Sequence, residues 1–329
     1  MKSLQNILLL VSMTLAVCFT SCKKEKLTQG SGGIADILVE CDCDTIPPFS
    51  GWSPSGTYPT IEDSLGYLNP QFNPNNDNEI AFFLQDVYGN EGGLYKLNLT
   101  SNIKTPILVG TPMGSGFSWS KKDWIIFQKN TDFNIYKIKS NGDSITQLTF
   151  NGTFHNPSWN NEGTKFLATS SSDNIGTRVL NINGVVMDTL VGYHGSGSWQ
   201  HPQYLLGLSP MNKLRIMNVE TGLILKELVN EYPNTFSTFG WATNDKIIYR
   251  DYTGLYTYWI NSGIKQKMRN FCNAIGYRPM SRNSTSTKIV FTKVENELVV
   301  IDGVEYLHNQ LKIFTMNTDG SNEQEIIVP

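Results

Sequence analysis

The sequence predicts an all-β protein, a six-bladed β-propeller with four antiparallel strands in each blade. One reason is a meander over residues 154–190, where short apolar runs alternate with turn residues such as Asn183-Gly184. A second is that this pattern recurs about every 40 residues, and a third is that a large side chain opens each repeat. One meander cannot bury its apolar face alone, so the repeats are expected to pack face to face around an axis.

The six repeats are aligned by the side chain that opens each of them. These anchors are Phe72, Trp119, Trp159, Trp199, Trp241 and Met280. After each anchor, a polar turn leads to an apolar second strand at residues 79–84, 124–128, 165–169, 204–208, 246–249 and 288–292. The third strand alternates in polarity, as half-buried strands do, at residues 94–97, 135–138, 179–182, 214–217, 255–258 and 313–316. These positions predict one blade for each anchor.

Glycine-containing turns separate the third strand from the fourth in most repeats, because glycine tolerates the positive φ of a tight turn. They are Asn141-Gly142, Asn183-Gly184, Thr221-Gly222, Ser262-Gly263 and Asp319-Gly320. The last fourth strand is expected at residues 323–328, so the propeller domain, predicted over residues 67–329, begins with an inner strand and ends with an outer one. No strand then has to be shared to close the ring. An open β-sandwich, the alternative fold, gives no reason for anchors at a fixed spacing.

The composition is that of a folded domain without a strong net charge. Of 329 residues, 40% are hydrophobic and 17% are charged, and 26 Lys and Arg stand against 29 Asp and Glu. A chain with this balance has no basic field that would attract nucleic acid. Nucleic acid is therefore not an expected partner.

Residues 1–21 are expected to be a lipoprotein signal peptide. Lys2 provides a positive start, and residues 7–17 form an apolar run too short to span a bilayer as a helix. Residues 19–22, F-T-S-C, resemble the lipobox of bacterial lipoproteins, after which Cys22 becomes the lipid-modified first residue. The protein is thus expected in the cell envelope as an outer-membrane lipoprotein, bound to the membrane through Cys22 and facing either the periplasm or the surface. An ordinary secretory signal is the alternative.

Residues 22–66 are expected to be a flexible tether, because Gly, Ser and Pro are frequent there and no strand period persists. Its one apolar run, at residues 34–40, is a candidate edge strand. Either Cys41 or Cys43 could form a disulfide with Cys272 in an oxidising envelope. Such a bond would clamp the tether onto the propeller.

Two segments allow a comparison with a known family. Residues 157–165 read P-S-W-N-N-E-G-T-K, and residues 135–149 contain I-Y, N-G and L-T in that order. These segments resemble the P-x-W-S-P-D-G motif and the strand pattern of TolB-like, WD-repeat-related propellers, over residues 68–329. The resemblance implies a fold used by partner-binding scaffolds, by substrate gates beside peptidase domains and by some polysaccharide lyases. We expect no α/β domain ahead of the propeller, which distinguishes the chain from TolB itself.

The sequence contains none of the motifs of metalloproteases, serine hydrolases or nucleotide-binding proteins. We therefore expect no cofactor, and a non-catalytic scaffold that binds an envelope protein or a glycan. The alternative is a metal-dependent polysaccharide lyase or hydrolase. It would use His155 and His194, in matching loops of consecutive repeats, as metal ligands at the channel mouth. Tyr277 and Arg278 would then supply a proton donor and a carboxylate clamp.

Ligand binding is expected on the face that carries the longer loops, which join the second strand to the third and one blade to the next. The longest of these loops is expected at residues 294–310. Aromatic residues predicted on this face are Tyr88, Phe133, Phe154, Tyr193, Tyr232, Phe236, Tyr277 and Tyr306. The candidate ligand-binding residues are Tyr193, Phe236, Tyr277 and Arg278, which could stack on sugar rings or hold a peptide. The alternative is that the aromatics pack against one another to order the loops.

Overall fold

The computed structural model describes residues 60–62, 65–86, 92–110, 113–150, 152–170, 176–191, 194–209, 211, 213–228, 238–251, 254–270 and 275–329. In these ranges the regular structure is all strand, and no helix is long and apolar enough to cross a membrane. Six sheets follow one another along the chain, and apart from the first described strand, which joins the last sheet, the strands within each sheet are neighbours in sequence order. The predicted all-β fold, a six-bladed β-propeller with four antiparallel strands per blade, is confirmed.

The strands are numbered in chain order and run from the axis outwards in each blade. Blade 1 contains β2 (Leu65–Asn73), β3 (Asn76–Asp86), β4 (Gly93–Asn98) and β5 (Ile103–Val109). Blade 2 contains β6 (Met113–Trp119), β7 (Trp124–Lys129), β8 (Ile135–Lys139) and β9 (Thr146–Gln147). Blade 3 contains β10 (Phe154–Trp159), β11 (Lys165–Ser170), β12 (Gly176–Asn181) and β13 (Val186–Val191).

The second half of the ring has the same order. Blade 4 contains β14 (His194–Ser198), β15 (Tyr204–Leu208), β16 (Leu214–Asn218) and β17 (Ile224–Leu228). Blade 5 contains β18 (Thr238–Trp241), β19 (Lys246–Arg250), β20 (Gly254–Trp259) and β21 (Lys265–Asn270). Blade 6 contains β22 (Ile275–Arg282), β23 (Lys288–Ile301), β24 (Val304–Asn317) and β25 (Gln324–Ile326), and it is joined by β1 (Thr60–Glu62).

The first strand of the described residues is added to the last blade. β1 pairs in parallel with β24 around Ile61↔His308, and β25 pairs with the same edge of β24 further along, around Phe314↔Glu325. The outer edge of blade 6 is thus completed by two short strands from opposite ends of the described chain. β1 and the start of β2 lie ahead of residue 67, the predicted start of the propeller.

The segment predicted as the longest loop, residues 294–310, forms a hairpin instead, so that prediction is wrong. β23 and β24 pair without a break as far as Ile301↔Val304. The connecting Asp302 and Gly303 both have positive φ, 52° and 80°, as in a type I′ turn, which favours Asp-Gly and matches the twist of the strands. The Asp-Gly pair between β-branched residues is therefore the turn of a hairpin.

Each interface between neighbouring blades contains its own hydrophobic cluster, and each cluster includes one of the large side chains predicted as anchors. In each case the side chain shares the cluster with a residue of the preceding blade: Phe72 with Val290, Trp119 with Ala81, Trp159 with Ile126, Trp199 with Leu167, Trp241 with Leu206 and Met280 with Ile248. The contact of Phe72 with blade 6 closes the ring. Because every anchor buries against the neighbouring blade, the anchors recur with the blade spacing.

Met280 does not occupy the anchor position of blade 6, and its prediction as the sixth anchor is wrong in register. In blade 2 the anchor Trp119 pairs with Ile125, at the start of the second strand. The residue of blade 6 that pairs with the equivalent Ile289 is Arg282. Met280 precedes it by about two residues on the same side of the strand, and for that reason it still reaches the apolar cluster between blades 5 and 6.

Arg282 makes polar contacts at the position where each of the other five blades has an aromatic anchor. Its Nη2 donates to the carbonyl oxygen of Gln200 in blade 4 at 2.6 Å, and burial lowers the pKa of the guanidinium to about 10. Gln200 Nε2 donates to Ser281 Oγ at 2.9 Å. The turn that follows Arg282 reaches blade 1, where Asn283 Nδ2 donates to Asp77 Oδ2 at 2.9 Å. Polar contacts therefore connect blade 6 to blade 4 and to blade 1.

A hydrogen bond between inner strands fixes several blades against the next. The side chain that precedes an anchor accepts the backbone N–H of the following anchor. Gln71 Oε1 accepts from Trp119 at 3.0 Å, Ser118 Oγ from Trp159 at 3.0 Å and Ser158 Oγ from Trp199 at 3.3 Å. Between blades 4 and 5 the indole Nε1 of Trp241 donates to the backbone oxygen of Ser198 at 3.0 Å instead. All four of these hydrogen bonds end on a backbone group of the neighbouring blade. They therefore set the rotation of one blade relative to the next, because apolar packing alone defines that rotation only loosely.

The first prediction concerns this hydrogen bond. Ser158→Ala is expected to lower the free energy of unfolding by about 1–3 kcal/mol, because the buried N–H of Trp199 loses its acceptor. Urea unfolding measures the change. Ser101→Ala, at an exposed turn serine, is the matched control and is expected to stay within about 0.5 kcal/mol of the parent. Equal effects of the two changes would contradict the assigned role of Ser158.

The second prediction compares two turn glycines. Gly184 and Gly222 have φ of 82° and 69°, so alanine meets a similar backbone strain of about 1–2 kcal/mol at both. A Cβ at Gly184 would lie 2.0 Å from the carbonyl oxygen of Leu148 in blade 2, whereas at Gly222 nothing lies within 4 Å. Gly184→Ala is therefore expected to lower the melting temperature more than Gly222→Ala. Equal shifts would show that blades 2 and 3 are not packed this closely.

Candidate functional site

The strand order gives the ring two faces. The turn face carries the turns between first and second strands and between third and fourth strands, and the loop face carries the other connections. Of the predicted ligand-binding residues, Tyr277 and Arg278 lie on β22, where the backbone of Tyr277 pairs with Lys293 and Arg278 is exposed. Predictions that fall outside the described residues, and stay predictions, concern Tyr193, Phe236, Tyr88, Tyr232, Cys22, Cys41, Cys43, Cys272 and the apolar run at residues 34–40.

Most of the inner strands are bulged on the loop-face side of their anchor. The register shifts between Leu68 and Gln71, Met113 and Phe117, His155 and Ser158, His194 and Gly197, and Tyr277 and Met280. Only β18 keeps a regular register among the described inner strands. Pro70, Pro157 and Pro279 explain three of the bulges, because proline cannot donate to a strand ladder. Since inner strands surround the axis, the bulges form a ring at the loop-face mouth of the channel.

Asn69, Asn156 and Arg278 occupy equivalent places in this ring, each directly before its proline. Asn69 and Asn156 have φ of 51° and 52°, a left-handed conformation that asparagine tolerates better than most residues. Backbone strain of this kind persists where the surrounding structure holds it and is frequent at binding sites. Arg278 adds a positive charge to the ring. The bulges can therefore offer two amides and one guanidinium to a ligand.

His155 and His194 lie on strands, which corrects their predicted position in loops. They take the same register in neighbouring blades, close to the loop-face ends of β10 and β14. Nδ1 of His155 lies 2.7 Å from Nε2 of Gln128, an amide nitrogen that can only donate, so the imidazole accepts through Nδ1 and carries its proton on Nε2. The described residues contain no group of three His, Cys, Asp or Glu that could hold a metal ion.

Two exposed phenylalanines lie on the loop face of blade 2. Phe133, in the connection between β7 and β8, is 51% exposed, and Phe150, in the connection from blade 2 to blade 3, is 75% exposed. Sequence reasoning found Phe133 among the loop aromatics but missed Phe150. The signal that could have found Phe150 is its place directly after Leu148-Thr149, the pair that ends the blade.

Asn134 joins the two connections that carry these rings. Its Oδ1 accepts the backbone N–H of Gly152 at 2.9 Å and lies 3.5 Å from Thr149 Oγ1. That hydroxyl oxygen also accepts the backbone N–H of Ile135 at 2.8 Å. Asn134 and Thr149 are buried, so these hydrogen bonds are shielded from water and hold the two connections together.

A second set of contacts fixes the loop around Phe133. The hydroxyl of Tyr136 donates to Asp132 Oδ2 at 2.5 Å, and Asp132 Oδ1 accepts the backbone N–H of Asn134 at 3.0 Å. Burial and the hydrogen bond to Asp132 raise the pKa of Tyr136 to about 12, so the hydroxyl remains a donor at neutral pH. Lys129 Nζ lies 4.4 Å from the centre of the Tyr136 ring. The exposed ring of Phe133 therefore stands on a loop of fixed shape.

The six blades form a β-propeller, and its fold is similar to that of TolB proteins. The chain superposes on a TolB protein of Agrobacterium tumefaciens with a TM-score of 0.51 and 10% identity, over 70% of this chain and 86% of that one. It superposes on TolB of Acinetobacter baumannii with a TM-score of 0.52 and 14% identity, over 79% of this chain but only 62% of that one.

A chain of a nidogen–laminin complex is similar in the same way, with a TM-score of 0.52 and 12% identity over 73% of this chain and 91% of that one. No protein-family model matches the sequence, and no curated protein matches it. At these identities the likeness concerns the fold. The function has to be argued from the residues of this chain.

Proposed function

We propose that the protein is an envelope lipoprotein whose propeller is a non-catalytic scaffold, and that it binds a protein partner through the loop face. The observation that carries this proposal is the pair of exposed rings, Phe133 and Phe150, on connections that buried hydrogen bonds hold together. Aromatic side chains supply much of the binding energy at protein interfaces. A preformed loop loses little conformational entropy when it binds, so these two rings are favourable anchors.

The ring of bulges supports the same proposal, because it supplies polar groups beside the aromatic ones. Asn69 and Asn156 can donate and accept hydrogen bonds, and Arg278 can form a bidentate pair with a carboxylate. Interfaces of this composition, with aromatic anchors and a polar surround, are typical of specific protein binding. A partner with an apolar patch and an acidic group fits this face.

The direction of β1 supports an arrangement in which the loop face is close to the tether. β1 runs parallel to β24, which itself runs from the loop face towards the turn face. The chain therefore enters the propeller from the loop-face side. A tether formed by the part of residues 22–66 that precedes β1, following a signal peptide at residues 1–21, would bring this face within reach of proteins in the membrane that holds Cys22.

A glycan of the envelope is the alternative ligand, since the same exposed rings can stack on sugars. The metal-dependent lyase or hydrolase is less well supported. With Nδ1 of His155 accepting from Gln128 at 2.7 Å, Nε2 carries the proton, and a metal could bind there only if that proton left and Gln128 turned its amide oxygen toward Nδ1. Retention of proteins from a solubilised envelope and binding to a glycan array distinguish the two kinds of ligand.

The third prediction tests the aromatic pair. The double change Phe133→Asn with Phe150→Ser is expected to reduce retention of an envelope protein at least about tenfold, because each lost aromatic anchor costs more than about 1 kcal/mol. Asparagine suits position 133, where φ is 55°. Quantitative mass spectrometry of retained proteins measures the effect.

The control is Leu223→Ser with Ile264→Ser, two exposed aliphatic residues at turns of the other face. It is expected to leave retention unchanged. Both variants should melt at the parent temperature. If the envelope protein is still retained by the loop-face variant but is lost with the control variant, the binding site lies on the turn face instead.

The fourth prediction concerns the anchor. Cys22→Ala is expected to move the protein from the membrane fraction to the soluble envelope fraction, because lipid chains on Cys22 hold it by burying their methylene groups in the bilayer. Cell fractionation and intact-mass analysis measure the change. Cys18→Ala, inside the predicted signal peptide, is the control and is expected to leave the protein in the membrane. A parent protein without lipid mass would contradict the proposal.

A further inference from the structure

Arg282 is a partly buried cation at the turn-face end of β22, and among the described residues no acid pairs with it. Its guanidinium donates from Nη2 to the backbone oxygen of Gln200 at 2.6 Å and from Nη1 to Ser286 Oγ at 3.3 Å. These bonds use two of its five N–H groups, and both acceptors are neutral. A guanidinium in such surroundings is costly to bury and attracts an anion.

The acids near other polar contacts of the ring do not neutralise this charge. Arg215, for comparison, is paired, with its Nη2 2.7 Å from Glu227 Oε2. Asp77 is the acid that the turn after Arg282 binds, but its Oδ2 accepts from Asn283 Nδ2 at 2.9 Å instead. Burial alone shifts the pKa of Arg282, downwards to about 10, whereas an acid nearby would raise it. Within the described ranges, the charge of Arg282 is therefore uncompensated.

Gln200, the partner of Arg282 in blade 4, differs in its role from the equivalent residues of other blades. In blades 1, 2, 3 and 6 the residue after the anchor position accepts a backbone N–H a few residues further on: Asn73 from Asn75 at 2.9 Å, Ser120 from Trp124 at 3.2 Å, Asn160 from Thr164 at 2.8 Å and Asn283 from Thr287 at 2.9 Å. In blade 4, His201 Nδ1 takes over this role and accepts the N–H groups of Gln203 and Tyr204, both at 3.0 Å. The side chain of Gln200 is thereby available for another contact.

The side chain of Gln200 reaches blade 6 and has one unsatisfied atom. Its Nε2 donates to Ser281 Oγ at 2.9 Å, whereas its Oε1 is buried and has no hydrogen-bond partner in the part of the chain that the structure describes. Buried acceptors without a donor are rare in native proteins, and a bound ligand is one explanation for them. Because Arg282 binds the backbone oxygen of the same glutamine, the unsatisfied acceptor and the uncompensated cation belong to one contact between blades 4 and 6.

The chemistry of this contact indicates which group would fit it. His201 adds no second charge, because burial and the positive charge of Arg282 lower its pKa to about 4. Arg282 offers planar, paired N–H groups that match a carboxylate, and Gln200 Oε1 requires a donor close to that carboxylate. The last residue of a peptide has both groups, since its carboxylate and its N–H are attached to the same Cα atom.

The contact lies where the end of a chain could enter. Blade 5 separates blades 4 and 6, so side chains that join these two blades pass inside blade 5, at the turn-face mouth of the channel. All connections of the turn face lie within the described residues, and none of them brings an acid to Arg282. A position at the mouth of a narrow channel admits the end of a chain more readily than the surface of a folded domain.

We propose that Arg282 and Gln200 bind the carboxy-terminal residue of a peptide at the turn-face mouth of the channel. The terminal carboxylate pairs with the guanidinium of Arg282, and the N–H of the last residue donates to Gln200 Oε1. Capture of a terminal carboxylate is an established mode of peptide recognition. The site lies on the opposite face from Phe133 and Phe150, so it does not depend on the binding proposed for those rings.

The test is a titration of the full chain, solubilised in detergent, with N-acetylglycylglycine. Saturation-transfer NMR, which detects weak binding, measures the affinity, and the parent chain is expected to bind this probe saturably. The C-terminal amide of the probe lacks the negative charge and is expected to bind at least about tenfold more weakly. Acetate lacks the N–H, and as a competitor it is expected to bind about fivefold more weakly than the probe.

Two variants assign the binding to this site. Arg282→Gln removes the charge and is expected to weaken binding of the probe at least about tenfold. Gln200→Glu changes one atom and places an acid beside Arg282, so it is expected to abolish binding and to raise the melting temperature. It also keeps the proposal testable if the Arg282→Gln chain does not fold. Lys122→Gln, which removes an exposed cation of the same face, is the matched control and is expected to bind like the parent.

Several results would overturn the proposal. They are the absence of saturable binding by the parent chain, equal binding of the probe and its amide, and competition by acetate as strong as that of the probe. Binding that persists in a folded Arg282→Gln chain or in the Gln200→Glu chain would overturn it as well. So would a loss in the Lys122→Gln chain as large as the loss caused by Arg282→Gln, because the attraction would then come from the general charge of this face.

Discussion

The structure depends on a hydrogen bond between the inner strands of neighbouring blades. Apolar clusters hold the blades together, but hydrophobic burial has no direction and tolerates small rotations. The side chain before the anchor provides the direction in blades 1, 2 and 3. Ser118 and Ser158 accept the backbone N–H of the next anchor, and Gln71 does the same with a longer side chain. Blades 1, 2 and 3 are thereby each fixed to the backbone of the next blade, and this half of the ring acquires a defined geometry around the axis.

Blades 5 and 6 solve the same problem without that hydrogen bond. Gly240 takes the place of the serine in blade 5, and a Cβ there would lie 2.6 Å from the carbonyl oxygen of Met280. The two inner strands approach so closely that no side chain fits between them. Arg282 then reaches past blade 5 to the backbone of Gln200 in blade 4, and Asn283 bonds to Asp77 of blade 1. A longer-range polar network replaces the local bond at this part of the ring.

The fold could be predicted from the sequence because each interface between blades contains one large anchor side chain. The spacing between anchors stays near 40 residues even though the loops differ from blade to blade. Met280 misled the alignment because the anchor position of blade 6 holds Arg282, a residue type that predicts a surface. The hairpin at residues 294–310 was predicted as a loop, although its Asp302-Gly303 turn is a hairpin signal. The candidate site was predicted less well. The role of Phe133 and Phe150 depends on hydrogen bonds between separate connections, and no periodic pattern encodes these bonds.

The bulges explain why the repeated sequence pattern specifies the fold but does not specify which ligand is bound. Near the turn face an inner strand must present its anchor and the preceding polar group in register, so residue types recur from blade to blade. On the loop-face side the bulge releases the strand from the ladder. Packing no longer restricts these positions, and Asn156 and Arg278 differ in chemistry although their places correspond. Binding specificity can therefore change there while the interactions that close the ring stay the same.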